Sequence, residues 1–444
     1  MATDTAPKIP RALLVSIKTP QVTELEAGES LKELGRLVHT LGFQVIATES
    51  QNRPNTTSAV AVGRGKLKDL AKYTGGSGET GPTDEEEEEE GLGDGFGENT
   101  EAPKELATVV VFDCDLRPSQ FRHLENALGC EVLDRTGVII EIFSRHAKTR
   151  SARLQVEIAR LNYVSPRLRE VGSSGERQSG RGSGESALAT ERRAIRDRLA
   201  ELRRELAQLQ HEQAGHRSTR SAQPSVALVG YTNAGKSSTM RALTGSEVLV
   251  QDKLFATLDT TVRALKPETQ PRILVSDTVG FIKKLPHDLV ASFRSTLDEA
   301  LNASLLLYVV DSSDSTFRQQ LEVVDDVLRE VGVRDTPSFL VLNKIDLVPE
   351  EARKRLQREF PDAYLVSSLE KKDIAFLHEK ILQFFEKGMV EEEIFAPYSL
   401  EGIIGEIRGS MRVVAERHGE EGTHFTVRAR AADVEKLKKK FGVS

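Results

Sequence analysis

The sequence contains no tryptophan, only two cysteines, and no run of about 18 consecutive apolar residues. Cys114 and Cys130 are too few for a disulfide framework or a zinc site, so we expect both to be buried as small apolar side chains. The missing apolar run argues against a membrane span, and the N-terminal residues lack the pattern of a signal peptide. These absences predict a cytoplasmic protein.

Length and charge indicate several domains with one basic segment. A chain of 444 residues is too long for one ordinary core. The formal net charge is −7, yet residues 144–220 contain 17 basic residues, 16 of them arginine, against 9 acidic ones. Such a segment on an acidic protein indicates a polyanionic partner. Mixed Arg–Glu pairs on a solvated helix face are the alternative, and charge alone leaves both open.

The first region, residues 1–143, alternates apolar β-type runs with helical patterns, which predicts βα units on a mostly parallel sheet. A glycine-rich stretch with a block of acidic residues, at about residues 73–101, interrupts this pattern. We expect it to be a disordered, solvated insert because it cannot form a core. The predicted strands are Ala12–Ile17, Phe43–Thr48, Ser58–Gly63 and Thr108–Asp113.

The second region, residues 144–223, has apolar residues at helical spacing on both sides of a glycine-rich loop at 172–186, and it is predicted to be a helical hairpin. Arg177 and Arg181 lie between the glycines of that loop. The loop can be a plain flexible connector. It can also be a mobile tip whose guanidiniums and backbone amides grip phosphate or unpaired bases, which a charged arm favours.

The third region, residues 224–388, contains the phosphate-binding motif G-x-x-x-x-G-K-[ST] between an apolar run and a helical pattern, the context that this motif requires. Its glycines let backbone N–H groups surround a phosphate, and the following helix N-terminus adds partial positive charge. Lys236 supplies a charge to the β- and γ-phosphate oxygens, and the Ser237 hydroxyl ligates Mg²⁺. The expected nucleotide contacts here are Gly230, Tyr231, Thr232, Asn233, Ala234, Gly235, Lys236, Ser237 and Ser238.

Three further motifs follow at the ends of β-type runs. In DTVG, Asp277 can hold Mg²⁺ through a water, and the Gly280 N–H can contact the γ-phosphate. In NKID, the Asp346 carboxylate can accept from guanine N1–H and the exocyclic amine, which adenine does not offer. The sequence therefore predicts a guanine nucleotide. The expected contacts are Asp277, Thr278, Val279, Gly280, Asn343, Lys344, Asp346, Ser367 and Ser368.

Phe281 follows Gly280, at the position where many nucleotide switches carry a polar side chain that orients the attacking water. A benzyl group cannot orient water. This substitution predicts a site that binds GTP and hydrolyses it slowly until a partner orders the water.

The fourth region, residues 389–444, is predicted to be a small α+β domain packed on the third. We expect a helix near Leu400–Arg417, a strand at Thr423–Arg430 and a lysine-rich final helix. The lysines of that helix, Lys436 and 438–440, can add an RNA contact.

Five strings together suggest a known family: GYTNAGKS, LFATLD, DTVGFI, LPHDLVASFRSTL and DRTGVIIEIFSRHAKTRSARLQVEIARL. They resemble the HflX family of translational GTPases. The resemblance covers essentially the whole chain except the acidic insert. It implies an α/β protein with a P-loop GTPase domain, an N-terminal βα domain, a helical-hairpin arm and a small C-terminal α+β domain. It also implies hydrolysis of GTP to GDP with Mg²⁺, binding to the large ribosomal subunit and its rRNA, and splitting of stalled or idle ribosomes. We expect a monomer.

Spacing leaves Thr257, Thr260 and Thr261 open as the threonine that closes on Mg²⁺ and the γ-phosphate. The resemblance implies Thr257 as a Mg²⁺ ligand beside Ser237, and it implies Lys236, Thr257 and Gly280 as the catalytic groups. It also implies that Asn233 helps to place K⁺, although an asparagine there can equally hold the loop's own backbone. The implied nucleotide contacts on this segment are Phe255, Ala256, Thr257, Leu258 and Asp259.

The arm's loop departs from the family pattern, because it reads RGSGE and SALAT where relatives usually read RGPGE and TQLE. The missing proline should loosen the tip, and the missing glutamine and glutamate remove polar contacts. A guanine-nucleotide switch in ribosome assembly, or one that binds a non-ribosomal RNA or protein, is the alternative function. An ATP-dependent enzyme conflicts with Asp346.

Overall fold

A computed structural model describes residues 9–56, 60–80, 105–171, 184–220, 223–245, 254–255, 260–284 and 299–443, with the side chains at 168–171, 184–188 and 213–220 left out. These residues form two compact units, one up to Ala207 and one from Gln208 onward. None of the helices in the described ranges has the length and apolarity needed to cross a membrane.

The first unit is built on a four-stranded parallel sheet in the order β2-β1-β3-β4. Its core contains Leu13, Val15, Val110, Phe112 and Leu124, which are inaccessible to solvent because helices cover the strands. The elements are β1 (Arg11–Lys18), α1 (Glu24–Thr40), β2 (Gln44–Asn52), α2 (Arg64–Thr74), β3 (Val109–Phe112), α3 (Pro118–Leu128), β4 (Glu131–Asp134) and α4 (Arg135–His146).

Three of the four predicted strands of this sheet are confirmed, and the strand predicted at Ser58–Gly63 is wrong. Its described part, residues 60–63, is a turn that leads into α2, with Ala61 at a φ of 60°. The apolar side chains of this turn are buried in the core, so they give an apolar run without a strand. Sequence reasoning missed β4, whose four residues have a carboxylate at each end and so form no apolar run.

The predicted insert begins later than expected. The described residues 73–80 pack on the unit: Tyr73 is buried, and the Gly78 N–H donates to the Ala127 carbonyl at 2.9 Å. Residues 81–101 of the insert lie outside the described residues. Cys114 and Cys130 are half-buried rather than buried, and burial raises the pKa of the Cys130 thiol to about 11.

Two long helices, α5 (Arg150–Val171) and α6 (Gly184–Arg220), follow α4 as the hairpin prediction requires. Ion pairs join them, from Arg150 to Glu205 at 3.0 Å and from Arg198 to Glu157 at 2.9 Å. Part of the basic charge is therefore paired along the arm. Arg177 and Arg181, in the predicted loop, lie outside the described residues.

The second unit contains a six-stranded sheet in the order β10-β9-β8-β5-β7-β6, parallel except for β6. The carboxyl ends of its parallel strands meet at one edge, where ligands of α/β folds bind. Its elements are β5 (Ser225–Val229), α7 (Lys236–Thr244), β6 (Thr261–Ala264), β7 (Leu274–Asp277), β8 (Leu305–Asp311), α8 (Phe317–Val331), β9 (Ser338–Asn343), a 3₁₀ turn (Ile345–Leu347), α9 (Glu350–Glu359), β10 (Tyr364–Leu365) and α10 (Lys371–Glu386).

The chain ends in a three-stranded antiparallel sheet in the order β11-β13-β12 with two helices. The predicted helix near Leu400–Arg417 is only partly right, because Arg412–His418 forms a strand paired with β13. Gly409 and Ser410 weaken the helix, and Val413 and Val414 favour a strand. The elements are β11 (Met389–Pro397), α11 (Ile403–Ser410), β12 (Arg412–His418), β13 (Gly422–Arg430) and α12 (Ala431–Phe441).

Candidate nucleotide-binding site

The phosphate-binding motif forms a tight loop, Gly230–Gly235, between β5 and α7. Gly230 and Gly235 have φ values of 152° and 93°, and Asn233 has 61°. A Cβ at Gly230 would lie 2.1 Å from the Val309 carbonyl oxygen, and one at Gly235 would lie 2.1 Å from Asn343 Nδ2. Both positions therefore require glycine. The loop delivers the chain to the N-terminus of α7, whose first N–H groups have no partner within the helix.

Lys236 is the first residue of α7, and only 6% of it is exposed. Its ammonium donates to the carbonyl oxygens of Gly230 at 3.1 Å and Tyr231 at 2.8 Å. Burial lowers the pKa of this ammonium to about 8, and the charge of Asp277 acts against that change. A buried cation beside a backbone loop suits a phosphate anion.

Ser237 and Asp277 meet at the same edge of the sheet. The Ser237 hydroxyl donates to Asp277 Oδ2 at 2.6 Å, and Asp277 is buried at the end of β7. The next residue is fixed as well, because the Thr278 hydroxyl donates to the Leu228 carbonyl at 2.7 Å. A hydroxyl and a carboxylate side by side are oxygen donors of the type that Mg²⁺ takes, so this pair fits the metal expected from the sequence.

The segment from Gly280 to Phe281 lies directly on the phosphate-binding loop. The Phe281 N–H donates to the Gly230 carbonyl at 3.1 Å, and the Thr232 N–H donates to the Phe281 carbonyl at 2.8 Å. The Phe281 side chain is 2% exposed. Phe281 thus places apolar volume in the core and contributes only backbone groups at this position, which the sequence did not indicate.

Asn343, the last residue of β9, joins the phosphate-binding loop to the 367–368 loop. Its Nδ2 donates to the Ala234 carbonyl at 2.9 Å, and its Oδ1 accepts from the Ser368 N–H at 3.0 Å. Asn343 is therefore a strut between two loops. Asp346 lies exposed on the 3₁₀ turn, where a carboxylate is accessible to a base.

Three residues that sequence reasoning missed hold these groups in place. Asp311 accepts from Lys344 Nζ at 2.7 Å, the Ser312 hydroxyl donates to the Asn343 carbonyl at 2.6 Å, and Asp373 accepts from the Ser367 N–H at 2.8 Å. The string DSSD, which begins at the last residue of β8, was the available signal for Asp311 and Ser312, since polar residues at a carboxyl strand end mark the site edge.

The structure brings together the predicted residues of the 230–238, 277–280, 343–346 and 367–368 segments. Phe255 is described and buried, with a φ of 57°. Ala256, Thr257, Leu258 and Asp259 lie outside the described residues. The predicted roles of all these residues stay predictions.

Three family models match the chain. They are described as GTP-binding GTPase N-terminal, at residues 28–79 and 87–144, GTP-binding GTPase middle region, at 146–220, and 50S ribosome-binding GTPase, at 225–344. Together they match more than half of the sequence.

Curated relatives match over most of the chain. A GTPase HflX of Gluconacetobacter diazotrophicus is 55% identical over 445 residues, covering 98% of this chain and 99% of the relative. A GTPase HflX of Magnetococcus marinus is 36% identical over 426 residues, covering 94% and 92%. Among solved structures, the SsGBP–GDP complex is 24% identical, covering 85% of this chain and 98% of that chain, with a TM-score of 0.46.

Proposed function

This chain belongs to the HflX family of GTPases, and on that premise we propose that it is a GTP-driven switch that binds the large ribosomal subunit and splits stalled or idle ribosomes. The observation that carries the proposal is the match of residues 225–344 to a model described as 50S ribosome-binding GTPase. The matched residues include the phosphate-binding loop. The long helical arm supports it as a second contact with rRNA. We place the protein in the cytoplasm, as a monomer.

We assign the nucleotide groups to separate segments. Lys236 and the 230–235 loop bind the phosphates, and Asp346 with the 367–368 loop binds guanine. Ser237, Asp277 and Thr257 would hold Mg²⁺, and Asn233 would help to place K⁺. Bound Mg²⁺ supplies positive charge to the β- and γ-phosphate oxygens.

In the GTP state, the Gly280 N–H contacts the γ-phosphate, and loss of that phosphate on hydrolysis releases the contact. Phe281 supports a low intrinsic rate, because its side chain is buried and carries no group that could orient water. We therefore expect hydrolysis to be slow in the isolated protein and faster on large subunits. A fast rate in the isolated protein would contradict this.

Sedimentation on sucrose gradients tests ribosome binding. The protein should comigrate with large subunits with a GTP analogue and not with GDP, and the fraction of free subunits should rise when 70S ribosomes are supplied. If the GTP analogue does not shift the protein into the large-subunit fractions, the proposal is wrong.

The arm is tested by Arg177→Glu with Arg181→Glu, which should weaken subunit binding and leave GTP affinity unchanged. Arg355→Glu with Arg358→Glu, two exposed positions on α9, changes the net charge equally and serves as the control. If the arm variant binds large subunits as tightly as the control does, the result favours the alternative function, a switch in ribosome assembly or one that binds a non-ribosomal RNA or protein.

A further inference from the structure

The side chain of Tyr231 reaches from the phosphate-binding loop to the segment after Gly280. Its hydroxyl accepts a hydrogen bond from the Lys283 N–H at 2.6 Å, and the residue is 5% exposed. The motif requires only backbone groups at this position. Phosphate binding therefore does not explain why a buried tyrosine side chain makes this contact.

Three hydrogen bonds form a junction between residues 230–232 and residues 281–283. Two are the backbone bonds on either side of Phe281, which make a parallel bridge with Tyr231, and the third is the bond to the Tyr231 hydroxyl. The Lys283 side chain extends the junction to α8, where its ammonium donates to Gln319 Oε1 at 2.8 Å. The hydroxyl is the part of the junction that can be removed without changing the backbone.

Gly280, next to the junction, lies close to the phosphate-binding groups. A Cβ there would lie 2.8 Å from Thr232 Cγ2 and 3.0 Å from Lys236 Nζ. A small movement of the segment would therefore change the distance between the Gly280 N–H and any phosphate held by Lys236. Because the Phe281 side chain is buried, this distance depends on where the backbone is held.

We propose that Tyr231 is a positioning residue for GTP hydrolysis. Its hydroxyl holds the backbone from Phe281 to Lys283 against the phosphate-binding loop and so fixes the Gly280 N–H for the γ-phosphate. GDP has no γ-phosphate, so its binding does not need this alignment. The inference rests on the proposed contact between Gly280 and the γ-phosphate.

The test is Tyr231→Phe, which removes the hydroxyl and keeps the ring. We expect the steady-state kcat of the isolated protein to fall about tenfold, as for the loss of one buried hydrogen bond, while KM for GTP and Kd for GDP change by less than about twofold. Tyr308→Phe is the matched control. It removes a hydroxyl that contacts Asp325 on α8 at 3.4 Å, and it should leave kcat unchanged.

Two results would overturn the proposal: a wild-type kcat in Tyr231→Phe, or a fall in kcat accompanied by an equal loss of GDP and GTP affinity, which general disruption of the loop would give. If the variant does not fold, hydrogen exchange on the wild-type protein replaces it. The Lys283 amide should then be protected, and exchange as fast as that of an exposed amide would refute the junction. These measurements use the isolated protein, so a failure of ribosome binding would be a separate result.

Discussion

The four-stranded sheet of the first unit and the six-stranded sheet of the second each have charged residues at the carboxyl edge of their parallel strands, yet the two edges differ in chemistry. After β3 and β4, Arg135 donates to Asp113 at 2.7 Å and also to Glu33, and only 1% of Arg135 is exposed. In the second unit, Lys236 donates to two backbone carbonyls beside a glycine loop.

The difference shows that the edge of a parallel sheet is not in itself a binding site. In the first unit, the Arg135 guanidinium pairs with carboxylates of the fold itself, Asp113 and Glu33. Asp134 likewise is held by Tyr163 and by the Gly137 N–H, and burial raises its pKa. In the second unit, a glycine loop leads to the N-terminus of α7, where the Lys236 ammonium lies against backbone carbonyls and has no carboxylate bonded to it in the described contacts. A phosphate is the kind of ligand that such a helix N-terminus with a cation suits.

The largest expected effect is a loss of stability from a change at the carboxyl edge of the first unit's sheet. Arg135→Met leaves Asp113 buried without its cation, so we expect the free energy of unfolding of the first unit to fall by about 3–5 kcal/mol, while GTP affinity stays unchanged. Urea denaturation and nucleotide titration measure the two. The control is Lys72→Met, which breaks a surface pair with Asp69 and should cost less than about 1 kcal/mol. Equal effects from both variants would remove the contrast between the edges.

The next prediction concerns the second edge, where we expect nucleotide affinity to fall and stability to be maintained. Lys236→Met removes a charged hydrogen-bond donor to phosphate, so GTP affinity should fall about 100-fold. Stability of the nucleotide-free protein should not fall, because the variant removes a buried charge. Calorimetric titration and urea denaturation check both, with Lys371→Met, at an exposed site on α10, as the control. A destabilised, nucleotide-free Lys236→Met protein would contradict the proposed division of roles.

The smallest effect is a pH dependence of nucleotide affinity at the second edge. The pKa of Lys236 is lowered to about 8, so the ammonium loses its proton above that pH in the free protein, whereas phosphate favours the charged form. GDP affinity should be flat below pH 8 and fall by up to about tenfold per pH unit above it. Stability of the nucleotide-free protein should rise over the same window, because the unfolded chain then binds more protons.

Titration of a fluorescent GDP between pH 7 and 9 measures this dependence. Lys236→Met should lose it, and that variant also reports any titration of the nucleotide itself. A pH dependence that persists in Lys236→Met belongs to another group.

Much of the fold and the motif positions could be predicted, because long apolar runs and glycine spacing are local signals. The strands at Ala12–Ile17 and Thr108–Asp113 are examples. Short or mixed segments such as β4 and β12 could not, since their pairing partners decide them. The junction at Tyr231 and the strut at Asn343 join residues 52 and 109 positions apart. No local pattern reports such contacts.

The Asn343 strut has a consequence for how this protein can evolve. Its amide donates to one loop and accepts from the other, and a carboxylate in its place could not donate to Ala234. A lineage that changed Asn343 would therefore loosen the phosphate-binding loop and the 367–368 loop at the same step. Asp346, by contrast, lies exposed on the 3₁₀ turn, so its side chain can be replaced without breaking either of these bonds.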